Sequence, residues 1–173
     1  AFIAYANIKA WLLEKNLTMD LEFLRGVLVG AGISEVRFYY GTDMRNGKIE
    51  AFFSALSRMG YAVITKPVQY FKVALITLLQ NQQNRRWLEA CADSVREMIV
   101  NEARRLDENK IELLEPKANF DVEIAVDALR RADEYDTFVL LSGDGDFAHL
   151  LETLGALGKR TIVVSGKMSL SGA

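Results

Sequence analysis

The stretch TFVLLSGDGDF, Thr137 to Phe147, decides how this sequence folds. Its first five residues form a continuous apolar run, which is typical of a strand covered on both faces in a parallel sheet. Asp144 and Asp146 follow directly, and the glycine before each of them permits a sharp turn. Because two unpaired carboxylates cannot both be buried, we expect them at the carboxyl edge of the sheet, where they could bind a divalent cation. Helix capping is the alternative for Asp146 but hardly explains both, and the longer acidic pattern of a calcium-binding hand is missing.

Short β-like runs alternate with amphipathic helical segments along the rest of the chain. Strands are predicted at 2–3, 36–40, 61–65, 137–141 and 161–164, and helices at 8–15, 19–31, 48–59, 121–132 and 148–157. Thr18 is the predicted N-cap of the second helix, which Gly32 ends. This order predicts a three-layer α/β/α domain with a mostly parallel sheet. In such sheets, ligands bind beyond the carboxyl ends of the strands.

The segment from Val73 to Glu115 departs from this alternation, because it is strongly helical and densely charged. Its apolar residues recur at helical spacing, which indicates one buried face. We predict one domain over residues 1–173 with this segment as a helical insertion packed as a hairpin. Two alternatives remain open: an arm that presents arginines to RNA or a protein partner, and a surface that seals a homodimer.

Composition limits the class of protein. The chain has 173 residues and a formal net charge of -2, so RNA binding would need a local basic patch. With Cys91 alone, an intramolecular disulfide and a cysteine-rich zinc site are excluded, and a reducing cytoplasm is expected. We find no apolar run of membrane-spanning length and no signal peptide. The ends, Ala1 and Ser169 to Ala173, are interpreted as trimmed boundaries rather than natural termini.

Several motifs, in this order, resemble the NYN-domain proteins of the LabA-like group, within the PIN-like nuclease superfamily. They are KANFDVEIAVDAL (Lys117 to Leu129), YDT (Tyr135 to Thr137), LSGDGDF (Leu141 to Phe147) and LGKR (Leu157 to Arg160). The start, FIAYAN (Phe2 to Asn7), is similar to the family's opening motif, phenylalanine-isoleucine-aspartate-x-x-asparagine, except at Ala4. Pro67 after YAVITK also fits. The resemblance covers nearly the whole chain apart from Val73 to Glu115.

The resemblance implies a PIN-like fold and metal-dependent hydrolysis of RNA, most simply by an endonuclease that uses Mg²⁺ or Mn²⁺. The implied acidic ligands are Asp121, Asp144, Asp146 and the position that Ala4 occupies. The implied polar surround is Asn7, Ser142 and Asp127. Taken alone, Asp121 is explained equally well by capping. Asp127 lies roughly 120° further round an α-helix, so the two should not face one metal ion together.

Ala4 is the departure that matters, because a methyl group cannot ligate metal. We expect this chain to be inactive, either because an aspartate was engineered to alanine or because the protein is a natural pseudo-nuclease. The rival function is a catalytically silent module that binds RNA or protein. A phosphatase with an aspartate nucleophile is a weaker rival. It needs a paired-aspartate motif at the first strand, where this chain has Ala4, Tyr5 and Ala6.

Basic residues near the expected active face are the candidates for RNA binding: Lys66, Lys117 and Arg45. Each is explained equally well as an ordinary surface residue, and single-stranded DNA is an alternative substrate. His149, the one histidine, is interpreted as a partly buried structural residue rather than a catalytic base.

Overall fold

The structure, a computed structural model, describes residues 1–43, 45–111 and 113–166, and the backbone alone at Glu14, Gln82 and Gln83. The segment Ser169 to Ala173, interpreted above as a trimmed end, lies outside the described residues. The chain forms two compact units, one of residues 1–67 and 118–173 and the other of residues 68–117. Among the described residues, no helix is both long enough and apolar enough to span a membrane.

The first unit is built on a parallel sheet of five strands in the order β3-β2-β1-β6-β7. These strands are β1 (Phe2–Ala4), β2 (Arg37–Thr42), β3 (Ala62–Pro67), β6 (Thr137–Leu141) and β7 (Arg160–Val164). Its helices are α1 (Tyr5–Glu14), α2 (Leu21–Gly30), α3 (Ile49–Arg58), α7 (Asp121–Arg130) and α8 (Ala148–Ala156). The elements between β3 and α7 in the sequence belong to the second unit. The predicted α/β class with a mostly parallel sheet and flanking helices is confirmed.

Two hydrophobic clusters show how the helices cover the sheet. One cluster joins α7 and α8 to one face, and the other joins α1, α2 and α3 to the opposite face. In β6, Phe138 and Leu140 belong to the first cluster while Val139 and Leu141 belong to the second. All four are at most 5% exposed. The apolar run therefore folds as predicted, because alternate side chains of a strand point to opposite faces.

The second unit contains an antiparallel strand pair and three helices. Strand β4 (Gln69–Val73) pairs with β5 (Leu113–Lys117), so that Gln69 lies opposite Lys117. Between the strands lie α4 (Leu75–Gln80), α5 (Gln82–Ala90) and α6 (Asp93–Glu108). Among the described residues of this unit, Leu88 and Ala103 are buried, with 8% and 7% of their surface exposed.

Some predicted element boundaries were wrong. Helix α1 begins at Tyr5 rather than Ile8, because it follows β1 without a connecting turn. The N-cap of α2 is Asp20 rather than Thr18, and its side chain accepts a hydrogen bond from Phe23 N at 2.9 Å. Strand β5 begins at Leu113, inside the segment from Val73 to Glu115 that we predicted as helical. Pro116 explains this difference, since proline lacks the amide hydrogen that a helix interior requires.

Candidate metal centre

Three aspartates converge at the carboxyl edge of the parallel sheet. Asp121 is the first residue of α7, and Asp144 and Asp146 lie in the turn between β6 and α8. Each offers one carboxylate oxygen, and these oxygens all lie within 4.8 Å of one another. Asp121 is half-buried, whereas Asp144 and Asp146 are exposed. The structure therefore brings together the two motifs from which the ligands were predicted.

Hydrogen bonds define the turn that carries two of the carboxylates. The backbone N–H of Asp146 donates to Asp144 Oδ1 at 3.1 Å, and the N–H of Asp144 donates to Ser142 Oγ at 3.2 Å. Ser142 is 1% exposed and also accepts a hydrogen bond from Asn7 Nδ2 at 3.0 Å. Asn7 lies in α1, so this contact ties the first helix to the turn after β6. Two of the three predicted polar residues, Asn7 and Ser142, thus form the hydrogen bonds that support the backbone at Asp144.

The carboxylates interact electrostatically. Burial raises the pKa of Asp121, and the negative charges of Asp144 and Asp146 raise it further. A hydrogen bond with Asn119 and the positive charge of Lys66 act in the opposite direction on the same pKa. A cation bound among the three carboxylates would relieve this repulsion.

Ala4 ends β1, the central strand of the sheet. It is 7% exposed and belongs to the same hydrophobic cluster as Phe120 and Phe147, the neighbours of Asp121 and Asp146 in sequence. Position 4 therefore faces the side of the sheet on which the three aspartates lie. A longer side chain at this position would extend from the carboxyl end of β1 toward that side.

Asp127 lies elsewhere. Its Oδ2 accepts hydrogen bonds from Arg37 at 2.9 Å and from the Tyr39 hydroxyl at 2.8 Å. Arg37 is the first residue of β2, so this network lies toward the amino edge of the sheet. Six residues of α-helix span about 9 Å, which accounts for the separation of Asp127 from Asp121. Among the described residues, Asp127 is not in the acidic group.

The same amino edge holds further ion pairs and a cavity. Arg37 also pairs with Glu35 at 2.9 Å, and Glu35 contacts Arg131. These three side chains help to line a cavity of about 570 Å³. Three arginines and three acidic residues line the cavity, so the charges of its lining side chains are balanced. The three aspartates lie at the opposite, carboxyl edge of the sheet.

The predicted basic residues lie in three different settings. Lys66, in β3, forms an ion pair with Glu123 of α7, with 2.5 Å between Nζ and Oε1. Lys117 belongs to the second unit and pairs with Glu115 at 3.1 Å. Arg45 is an exposed turn residue. The positive charge of Lys66 also acts on Asp121 of the acidic group, whose pKa it lowers.

Two features differ from the sequence prediction or escaped it. His149 was expected to be partly buried, but its side chain is 92% exposed and lies 3.8 Å from Glu152. The error arose because the residue is in the first turn of α8 on its solvent side. Glu123 was not singled out, since a second acidic residue in the first turn of a helix is common. Its pairing with Lys66 depends on a contact across 57 residues of sequence.

Comparison with a solved structure supports the α/β fold described above. The chain is similar to the crystal structure of a protein of unknown function from Vibrio parahaemolyticus, with a TM-score of 0.60 and 18% identity. The similarity covers 98% of this chain and 83% of the other. At this identity the likeness establishes the fold alone, a mixed α/β domain with a five-stranded sheet.

The chain belongs to the NYN domain family, whose model matches residues 72–172. It is also 45% identical over 49 residues to the Low amplitude and bright protein LabA of Synechococcus elongatus. That stretch is 28% of this chain and spans about a quarter, 26%, of the relative's length. The NYN domain family belongs to the PIN-like nuclease superfamily, so the family of this chain is nuclease-like. The family match contains all three aspartates and begins after β1, so it does not include Ala4.

Proposed function

We propose that this domain is a metal-dependent ribonuclease, most simply an endonuclease, with Asp121, Asp144 and Asp146 as its metal ligands. The observation that carries the proposal is the convergence of these carboxylates within 4.8 Å at the carboxyl edge of a parallel sheet, in an NYN domain. RNA is the proposed substrate, with single-stranded DNA as the alternative. The coarse nuclease class comes from the family, whereas the metal and the ligands are our inference.

The donor set fits a small hard cation. Mg²⁺ binds oxygen at 2.0–2.1 Å, so two oxygens on one ion are at most about 4.2 Å apart. The observed spread of 4.8 Å would close to this distance by small rotations of the exposed aspartate side chains. Three carboxylates without nitrogen or sulfur ligands favour Mg²⁺ or Mn²⁺ over zinc or copper.

The protein's own residues prepare this site for the cation. Ser142 and Asn7 hold the backbone beneath Asp144, while the amide of Asp146 orients the Asp144 carboxylate. Asp121 adds a third oxygen from a different element, so that the ligands surround a point rather than lie along one loop. The chemistry that a bound divalent ion supplies is activation of a water and neutralisation of charge on the phosphate in the transition state.

We propose that Ala4 leaves this chain inactive or nearly so. It ends the central strand on the side of the sheet that carries the three aspartates, and its methyl group offers no ligand atom. An aspartate there would add a fourth carboxylate to the group. Replacement of that aspartate by engineering and natural loss during evolution would give the same chemical outcome.

A cleavage assay on labelled RNA tests the proposal, with Mn²⁺ or with EDTA. We expect Ala4→Asp to cleave in Mn²⁺ and to stop in EDTA, while the parent chain stays inactive. Ala4→Asn is the matched control, because it has the same shape without the charge and should remain inactive. Adding Asp144→Asn to Ala4→Asp should abolish cleavage. Absence of cleavage by Ala4→Asp, despite Mn²⁺ binding and correct folding, would contradict the nuclease proposal.

The second candidate function is a silent module that binds RNA or protein, and Ala4 itself favours it. In that case the second unit, residues 68–117, offers the binding surface or a homodimer contact. Large apolar side chains on this unit are exposed, including Trp87 at 57% and Met98 at 64%. Binding of RNA or a protein by the parent chain, combined with inactivity of Ala4→Asp, would favour this function.

A further inference from the structure

Lys66 and Glu123 form a pair beside the acidic group that the proposed ligands do not explain. Lys66 is the fifth residue of β3, so its side chain leaves the sheet near the carboxyl edge. Its ammonium lies 2.5 Å from Glu123 Oε1 and 4.8 Å from the centre of the Phe120 ring. Phe120 and Glu123 bracket Asp121 in sequence. The ammonium is therefore held against the first turn of α7, on which a proposed metal ligand lies.

The pair is unevenly satisfied. A lysine ammonium has three hydrogen-bond donors, and Lys66 uses one of them on Glu123 Oε1. The other oxygen, Oε2, is buried without a hydrogen-bond partner within the described part of the chain. The Lys66 side chain is still 34% exposed. The ammonium of Lys66 therefore has further N–H donors that solvent can reach, and it lies beside the acidic group.

A positive side chain beside the acidic group would favour the binding of a phosphate there. Three carboxylates and one divalent cation leave a net charge of about -1, which repels a phosphodiester. A lysine near the cation would offset that charge and offer N–H donors to a phosphate oxygen. The ammonium of Lys66 packs on the ring of Phe120, the residue directly before Asp121, so it lies beside the helix start that carries this carboxylate.

We propose that Lys66 binds the substrate phosphate next to the metal centre, and that Glu123 holds its ammonium in place until the phosphate takes over that contact. The proposal rests on the proposed function, because it assumes a nucleic-acid substrate at the acidic group. It assigns Glu123 as a positioning residue that acts through Lys66. The partner is recognised by its phosphodiester charge and not by its bases.

Binding of a labelled single-stranded RNA to the inactive parent chain in Mn²⁺, measured by fluorescence anisotropy, tests this role. Lys66→Gln should weaken binding about tenfold, since it removes a charged hydrogen bond to phosphate. It should also reduce the slope of log affinity against log salt by about 0.7, the value for one phosphate contact with a single strand. Lys66→Arg should keep the slope, because it retains the charge.

Glu123→Gln tests whether the Glu123 carboxylate holds the Lys66 ammonium or only lies next to it. The amide oxygen still accepts from Lys66 but no longer competes with phosphate as an anion, so RNA should bind about two- to fivefold more tightly. Lys159→Gln is the matched control for loss of one lysine. Lys159 lies by the Tyr135 ring and precedes the first residue of β7, at the amino edge of the sheet. This variant should bind RNA like the parent chain.

The outcomes distinguish failure of this inference from failure of the proposed function. If Asp144→Asn loses RNA binding while Lys66→Gln keeps it, the metal centre stands and the role of Lys66 is refuted. If Glu123→Gln weakens binding, the exchange between carboxylate and phosphate is refuted. Absence of RNA binding by the parent chain would refute the role of Lys66, whereas cleavage by Ala4→Asp would still decide the proposed function. Calorimetric titration with Mn²⁺ should give equal affinity for the parent and Lys66→Gln, and a large loss there would mean that Lys66 acts on the metal centre instead.

Discussion

Removing the Asp127 carboxylate should destabilise the domain without affecting metal binding. The residue was predicted among the polar surround of the active site, but it contacts Arg37 and Tyr39 at the other edge of the sheet. It therefore joins α7 to β2. The perturbation that tests this role is Asp127→Ala, with Asp127→Asn as the milder change.

The expected loss of stability follows from the hydrogen bonds of one carboxylate oxygen. Asp127 Oδ2 accepts two hydrogen bonds, at 2.9 and 2.8 Å. Hydrogen bonds to a charged group contribute about 1.5–3 kcal/mol each. The Asp127 side chain is 28% exposed, so the lower end of that range applies. We expect Asp127→Ala to lower the free energy of unfolding by about 3 kcal/mol, and Asp127→Asn by about half as much because the amide oxygen still accepts.

Urea unfolding, followed by tryptophan fluorescence, measures this loss. Trp11 lies in the first unit, whereas Trp87 lies in the second and is 57% exposed. A Trp87→Phe background makes the signal report on Trp11. Calorimetric titration with Mn²⁺ on the same variants measures metal binding.

The comparison with Asp144→Asn makes the test decisive. That variant should lose Mn²⁺ affinity at least about tenfold, since one of three ligands loses its charge. It should change the metal-free unfolding free energy by less than about 0.5 kcal/mol, because Asp144 is exposed. Asp127→Ala should show the reverse pattern. Loss of Mn²⁺ affinity in Asp127→Asn with unchanged stability would refute the assignment of Asp127 to the structural network.

Two further predictions concern stability in each unit. Burial raises the pKa of Tyr61 to about 12, and its hydroxyl donates to Leu21 O at 2.7 Å. The stability that this phenol contributes is complete below pH 10 and is lost as pH rises toward 12, so Tyr61→Phe should flatten the fall in unfolding free energy across that window; an unchanged slope would contradict this. In the second unit, the Asp107 carboxylate accepts from the backbone N–H groups of Leu75 and Ile76 at 2.7 and 2.9 Å. Asp107→Ala should cost about 1–2 kcal/mol and speed hydrogen exchange in α4 more than in β6, whereas equal acceleration in both would show that the cap is not local.

The parts of the site that could be predicted are those that a short stretch of neighbouring residues determines. The turn after β6 follows from an apolar run, two glycines and two aspartates, all within one short stretch. Asp121 is recognised from its place at the start of an amphipathic helix. Parallel topology then brings both motifs to one edge, because the carboxyl ends of parallel strands point the same way.

The remainder depends on contacts between distant residues. The network of Asp127 requires Arg37, 90 residues earlier, and nothing in the helix pattern indicates which arginine it meets. The same holds for Lys66 and Glu123, whose ion pair joins two elements that are 57 residues apart. Strand β5 was missed for a similar reason, because three helices separate it in the sequence from β4, the strand with which it pairs. Helix periodicity describes burial on one element and does not identify the partner of a polar side chain.

The pairing of β4 with β5 has a consequence for how this architecture could vary. Gln69 and Lys117, at the outer ends of the two strands, face each other in register. Paired residues in antiparallel strands are about 5 Å apart, so the chain departs for residues 68–117 and returns at nearly one point. A short glycine linker in place of these residues should therefore reconnect β3 to α7 and leave the three aspartates in place. The second unit can then be regarded as an exchangeable cassette, which could be shortened, lengthened or grafted between relatives while the chemistry of the sheet edge is retained.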